Sequence, residues 1–487
     1  MSEPQSGRPL SPQAAWSVVG VLFVAYVFSF LDRQILSLLV EPIQTDLGLS
    51  DSQMGLLHGF TFAIFFAIAG VPLAWAIDNG DRRRIIAAGI AFWSIATALC
   101  GFASRFWHLF VASIGVAVGE AVLLPGMSSI IGDSFPPERR GIATAVFSLG
   151  IAAGGGLALF MGGVAIGALD NVNFAPFGGE PFATWQLVFL VVGLPGLLAA
   201  LAVFLSPIPT RPKKTSSKDT HGFRETIKFF SAHRQTFTLH FLGIGFASMV
   251  GYGNAFWVPT YFSRLHGWEA DQIGIVFGLF NVVLGVPGLL LAGYLADKQV
   301  AKGHVDGKLR VALTGAAFMS IPGIVMALAS NLTIVLVALG LHTFFLFTIM
   351  GVAMAAMQDA APPHLRGQAT AVYSGVLNLI GLGMGPLLIG LLTDHVYGAP
   401  DRIGFSIATC TAIGGVLSVL CWLRALRPFR ETVQSLQTGE SAGPAPSPAP
   451  TGPMTAPQPA LASEDKTAHP IRGQTQEEET PDGKPRP

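Results

Sequence analysis

The chain has 487 residues, 51% of them hydrophobic and only 12% charged, with 57 glycines and 33 prolines. A soluble domain is nearer one quarter charged, so this composition excludes an ordinary soluble protein, and the balance of 29 basic against 29 acidic side chains excludes a global basic field for nucleic acid. Cys100, Cys410 and Cys421 stand alone in apolar runs, which makes them packing residues with no metal or disulfide role.

Residues 1–14 are polar, and the apolar run behind them passes twenty residues without a small-residue cleavage site, so a cleaved signal peptide is not expected. Twelve apolar segments follow: 15–40, 52–77, 84–104, 107–132, 141–167, 183–206, 236–263, 271–296, 309–330, 332–358, 367–393 and 402–425. Each is long enough to cross a bilayer as a helix. The fold class is therefore an all-α membrane protein of twelve transmembrane helices, with 15–206 and 236–425 as its two six-helix bundles. Between them, residues 207–235 are a basic linker with a surface helix expected around Phe223–Phe230. Residues 426–487 form a tail; its part from 441 on has eleven prolines and no aromatic residue, too little apolar area to fold.

Lysines and arginines in short loops stay on the cytoplasmic side. With both termini cytoplasmic, 25 of the 29 bases fall inside, against Arg105, Arg264 and Arg402 outside and Arg33 within a span. The expected location is an inner or plasma membrane, with both termini in the cytoplasm.

The halves repeat each other. Gln53, Gly55, Gly59 and Asp78 recur at one constant offset as Gln272, Gly274, Gly278 and Asp297. The stretch from Asp133 to Ser148 recurs from Asp359 to Ser374, with ten identities at a slightly longer offset. The added length fits the basic loop after Asp297. A duplication of six helices implies two bundles related by an axis along the membrane normal, with a site between them near the midplane, which suits alternating access by rocking.

After the second span come Gly70, Pro72, Ala74, Asp78, Asn79, Gly80, Asp81, Arg82, Arg83 and Arg84; after the eighth come Gly293, Tyr294, Leu295, Ala296, Asp297 and Lys298. This pattern resembles the major facilitator superfamily, whose signature between helices 2 and 3 is Gly-x-Leu-Ala-Asp-Arg-x-Gly-Arg-Arg. The first copy departs from it, with Ala74 in place of the glycine and Asn79 and Asp81 in place of Arg and Gly. A carboxylate here can cap a helix N-terminus of the facing bundle while the arginines reach an acid such as Asp133 at the end of helix 4. Asp78, Arg82, Arg83, Asp133, Arg140, Asp297, Lys298 and Arg366 are thus the candidate gating residues, with positive-inside anchoring as their plainer role.

Asp32 and Arg33 in helix 1 and Glu120 in helix 4 lie deep in their spans. Glu120 is about 20 Å along its helix from Trp107, near mid-depth. An unpaired charge there costs at least ~2.5–3.5 kcal/mol, so Arg33 should pair with Glu120. One base and two acids leave one carboxylate over, and an uncompensated acid in an apolar interior favours its neutral form. Asp32 is then the proton carrier, with Glu120 as the second proton-coupling group and Arg33 as the attractor of an anionic head.

The run Phe30-Leu31-Asp32-Arg33-Gln34-Ile35-Leu36, together with Gly119, Glu120, Ala121 and Pro125, resembles the Spinster-like branch of that superfamily over residues 15–425. The resemblance implies a secondary, proton-linked transporter of lipid-like solutes such as lysophospholipids or sphingosine phosphate. Ser113 stands where the branch has an arginine and Ala117 where it has a glycine, which moves more of the proton role onto Asp32 and Arg33.

In the second half Tyr252, Asn254, Trp257, Asn281 and Asn378 are the candidates for the solute-binding wall, since Asn facing lipid is costly. His58 and His342 read as packing histidines. The glycines at 154–156, 162–163, 381, 383 and 385 lack the strand and lysine of a phosphate loop and instead permit close helix contact. With no G-x-S-x-G, H-E-x-x-H or Cys/His metal spacing, the expectation is a monomeric transporter and not an enzyme, without cofactor or metal, whose partners are an amphipathic anionic solute, protons and the bilayer. A drug or organic-acid exporter on the same scaffold is the nearest rival, and a membrane-embedded lipid enzyme the more distant one.

Overall fold

The computed structural model describes residues 11–175, 181–208 and 220–438. Among these every regular element is a helix. The membrane helices are α1 (Pro12–Leu38), α2 (Asp51–Asn79), α3 (Arg82–Cys100), α4 (Phe106–Ile131), α5 (Pro137–Leu169), α6 (Thr184–Leu205), α7 (Arg234–His266), α8 (Ala270–Ala301), α9 (Gly307–Leu328), α10 (Leu332–Asp359), α11 (Arg366–Tyr397) and α12 (Pro400–Thr438). Eleven of these are apolar over a full membrane span among the described residues, and α5, 33 residues long, adds the apolar stretch Gly154–Leu169. The side chain of Arg140, with those of Thr144–Ala153, lies outside the described residues, as do residues 209–219 and the tail from 439.

Local chemistry sets the helix ends. Ser11 caps α1, its hydroxyl accepting from the Ala14 amide at 3.3 Å, with Pro12 at the first helical position. After α1 the chain makes a short helix, Val40–Leu47, closed by Gly48 in the left-handed region (φ 64°), and Ser50 and Gln53 then form a capping box at the start of α2. Helix α4 breaks at Ala121–Val122, directly after Glu120. Pro125 has no N–H for the Ala121 carbonyl, which is the reason for the break and for its position.

The linker helix, Thr220–Ala232, forms where the sequence places it and docks on the second bundle: Thr226 bonds Gln368 of α11, and Phe229 and Phe230 pack against that bundle's core. One expectation needs revision. The sequence pattern starts the tail at 426, but α12 continues to Thr438. Phe429 and Val433, one helical turn apart, are buried in the second bundle, and Arg430 pairs at 2.8 Å with Asp306, which is wholly buried at the start of α9.

Both described chain ends and the linker helix lie at one end of the bundles, here called the terminal face, and the opposite end is the far face. In the terminal half each bundle has its own core, one around Trp93, Ile86 and Ile130 and another around Trp422, Tyr373 and Met357. In the far half one buried cluster draws on both, joining Ile35, Met54 and Leu57 to Phe256, Trp257 and Ile389. The bundles are thus packed against each other through buried apolar side chains in the far half. Glycines make the far-half approach possible: a Cβ on Gly156 would meet the Gly278 carbonyl at 2.8 Å, and one on Gly55 the Pro386 carbonyl at 2.5 Å. The outward faces carry large exposed apolar side chains such as Trp75, Leu198 and Leu290, as lipid contact requires.

Candidate functional site between the bundles

Successive residues on a helix point about 100° apart, and α1 uses this to send Asp32 and Arg33 to different neighbours. Asp32, 6% exposed, turns into the first bundle, where Thr97 of α3 donates to its Oδ2 at 3.2 Å. Arg33 pairs with Glu120 of α4 and donates to Ser29 one turn back at 3.4 Å. Its guanidinium also lies between two rings, 5.2 Å from Phe30 and 4.7 Å from Phe62. The expected pair is therefore formed, and Asp32 is the acid outside it. Among the described residues no hydrogen-bond partner reaches Asp32 Oδ1 or Glu120 Oε1.

A cavity of about 40 Å³ adjoins these groups, bounded by Asp32, Arg33, His58, Thr97, Cys100 and Ser113. It is large enough for roughly two or three waters. Ser113 thus faces the same space as Asp32. His58 stacks on Phe256 of the second bundle, ring centroids 4.2 Å apart, so it spans the bundle boundary.

The second half presents neutral groups. Tyr252 of α7 is within electrostatic reach of Arg33 and packs beside Phe62. The other four residues expected on the solute wall are engaged within their own bundle in this conformation. Asn254 is buried and bonds His342 at 3.2 Å and Thr411 at 3.3 Å; Trp257 donates to the Pro386 carbonyl at 2.7 Å. Asn281 and Asn378 return their amides to the carbonyls of Phe277 and Ser374 on their own helices, in or beside π-helical turns. His342 accepts and donates within the core, between Asn254 and the Met319 carbonyl.

At the terminal face, Arg82 reaches Asp133 at 2.7 Å and Ser129 Oγ at 3.2 Å. Its neighbour Arg83 goes elsewhere, over the Phe204 ring at 5.5 Å. In the second bundle Lys308 pairs with Asp359 at 2.6 Å. Lys308 follows Arg82, and Asp359 follows Asp133, at the same offset as the repeated stretch, so the repeat carries the ion pair as well as the helices. Arg366 donates to the Gln358 and Ala361 carbonyls at the end of α10. Asp78 and Asp297 are exposed near the ends of α2 and α8, and Lys298 sits over Tyr294 of its own helix.

Sequence reasoning missed Ser29, Phe62, Thr97 and Tyr26 and gave Phe30 no role at the site; Tyr26 is within electrostatic reach of Arg33 and Glu120. Ser29 and Phe30 stand four and three positions before Arg33, a helical spacing that marks them. Thr97 and Phe62 come from other helices and carry no such mark.

An all-helical pair of six-helix units, one of which buries an ion pair and a further carboxylate near mid-depth, defines a membrane transporter of small solutes. The family model described as the Major Facilitator Superfamily matches residues 22–386, and the chain belongs to that family. Among curated proteins it is 28% identical to an MFS-type efflux pump of Mycolicibacterium smegmatis over 429 residues, 87% of this chain and 95% of that protein. It is 26% identical to protein spinster homolog 3 of Danio rerio over 486 residues, covering 91% and 93%. Among solved structures it resembles a bacterial homolog of the human lysosomal transporter Spinster in an inward-facing and unoccupied conformation, with TM-score 0.72, 26% identity and coverage of 88% of this chain and 99% of that one.

Proposed function

We propose that the chain is a proton-coupled secondary transporter of an amphipathic, anionic, lipid-like solute of the lysophospholipid or sphingosine-phosphate type. The terminal face would lie in the cytoplasm of a cell whose inner or plasma membrane holds the protein. The observation that carries this reading is the buried charge count: Arg33 and Glu120 neutralise each other, and Asp32 remains over, beside a cavity of water size. A buried net charge of one is matched by one bound proton. Arg33, with its guanidinium over the rings of Phe30 and Phe62, offers a cation framed by aromatic surface, which suits an anionic head joined to an apolar chain.

In the cycle so read, the solute's anion competes with Glu120 for Arg33, and Asp32 exchanges its proton with the side to which the cavity opens. The bundles then rock about the site. Asp78 and Asp297 would cap facing helices at the terminal face in the opposite state, when that face is closed.

The test is uptake into proteoliposomes from a panel of lysolipids under a pH gradient. Asp32→Asn should abolish accumulation against a gradient yet leave solute exchange, which needs no proton release. Accumulation by that variant that still follows pH would overturn the assignment. A second reading, export of a drug or small organic acid, is favoured by the likeness to the efflux pump; accumulation of such solutes with no lysolipid transport would decide for it. The orientation is checked separately. Cysteines placed at Ser231 and Ser104 should react with an impermeant maleimide from the cytoplasm and from outside respectively.

A further inference from the structure

Arg264, near the end of α7 at the far face, has all five of its N–H donors engaged. Nη1 bonds Asp51 Oδ2 at 2.7 Å and the Pro400 carbonyl at 3.2 Å; Nη2 bonds Asp51 Oδ1 at 2.8 Å and Gln44 Oε1 at 2.9 Å; and Nε pairs with Glu41. The Arg264 side chain is 9% exposed and that of Asp51 3%. Glu41, Gln44 and Asp51 all belong to the first bundle, so an arginine of the second bundle is held almost wholly by the first. The grip on Asp51 is the two-pronged form that fixes geometry as well as charge.

A second link runs the opposite way. Asp394 of α11 accepts from the backbone amides of Asp51 at 3.3 Å and Ser52 at 2.7 Å, the free donors at the start of α2. Gln44 joins the two by donating to Asp51 Oδ1 at 2.7 Å, and the short helix bearing Glu41 and Gln44 is pinned to the first bundle where the Trp185 indole donates to Asp46 at 3.0 Å. By contrast the terminal-face pairs, Arg82 with Asp133 and Lys308 with Asp359, each stay inside one bundle and do not resist separation.

From this we infer that Arg264 is the gating residue of the far face, clamped by Asp51 and Glu41 and backed by Asp394, and that release of this clamp admits the state open to that side. The inference rests on the alternating-access reading but not on the identity of the solute or the coupling ion. An arginine that loses both carboxylates at once must be rehydrated as the bundles part, so the clamp sets how often the far face opens.

The test uses the full chain in lipid nanodiscs, native cysteines replaced, with spin labels at Ser104 and Thr333 for the far face and at Asn79 and Lys302 for the terminal face. Arg264→Gln should raise the far-open fraction roughly tenfold, with longer far-face and shorter terminal-face distances. Asp394→Asn should shift the same distances less, and it serves as the independent variant if Arg264→Gln does not fold. Arg264→Lys, which keeps the charge but loses the fork, should fall between wild type and Arg264→Gln. A wild type that samples two distances, with variants that melt earlier but leave both distributions unmoved, overturns the gate while leaving alternating access intact. One fixed distance on each face in every protein, wild type included, overturns alternating access and the gate with it.

Discussion

The two bundles share a plan at their terminal ends and diverge at their centres. Arg82 with Asp133 in the first and Lys308 with Asp359 in the second are the same ion pair at equivalent positions of the repeat, at 2.7 and 2.6 Å. Arg33, by contrast, has Tyr252 as its counterpart at the offset that relates Asp78 to Asp297, and where the first bundle buries Asp32, Arg33 and Glu120 the second buries His342, Asn254 and Thr411 in a neutral network. The difference separates two kinds of polar group. The terminal pairs sit at helix ends near water and hold α3 to α4 and α9 to α10, a need that both halves share. The central charges have no such structural need, because the second bundle fills the same depth without them. Their presence in one half only is what points to work on a charged solute or a proton.

The sharpest way to break this comparison is to remove one partner of the central pair. Glu120→Gln strands the Arg33 guanidinium in the interior and should cost about 3–5 kcal/mol, with loss of uptake. Tyr252→Phe, at the counterpart position, should cost under about 1 kcal/mol in thermal unfolding of the purified protein. Equal losses from the two would show that the centres are equivalent after all.

Smaller effects are expected at the terminal face, and they should be unequal. Asp133→Asn removes the carboxylate charge 2.7 Å from Arg82, which is 3% exposed in its side chain, and should cost about 2 kcal/mol; Asp359→Asn leaves Lys308, 24% exposed, free to turn to water and should cost under about 1 kcal/mol. Unfolding midpoints of the two variants side by side measure the gap, and the reverse order would contradict the burial argument.

The neutral network gives a comparable stability effect with a different functional outcome. His342→Leu removes one of the two partners of the buried Asn254 amide and should cost about 1–3 kcal/mol while leaving the pH dependence of uptake unchanged. A shifted pH profile in that variant would place titratable chemistry in the second bundle. The smallest effect belongs to Arg83→Gln, which forfeits only a ring contact with Phe204 and should cost about 0.5 kcal/mol with uptake within a factor of two.

The sequence alone determined the number and order of the helices, because a membrane helix must satisfy its backbone internally and hide it behind about twenty apolar residues, a signal that is local by nature. It also determined the pairing of Arg33 with Glu120, since a buried charge has few partners to choose from, and that the arginines after the second span reach an acid such as Asp133; the structure shows that Arg82 is the one that does. The tertiary structure decided what depends on side chains from several helices meeting: Phe62 and Thr97 at the central charges, the withdrawal of Asn254 and Trp257 into the second core, and the gathering of Glu41, Gln44 and Asp51 around Arg264. In the sequence Arg264 is only a base beyond a span. Its carboxylate partners lie in the other half of the chain, and which of them it meets is set by how closely glycine-lined helices bring the far halves of the bundles together, information that no local spacing carries.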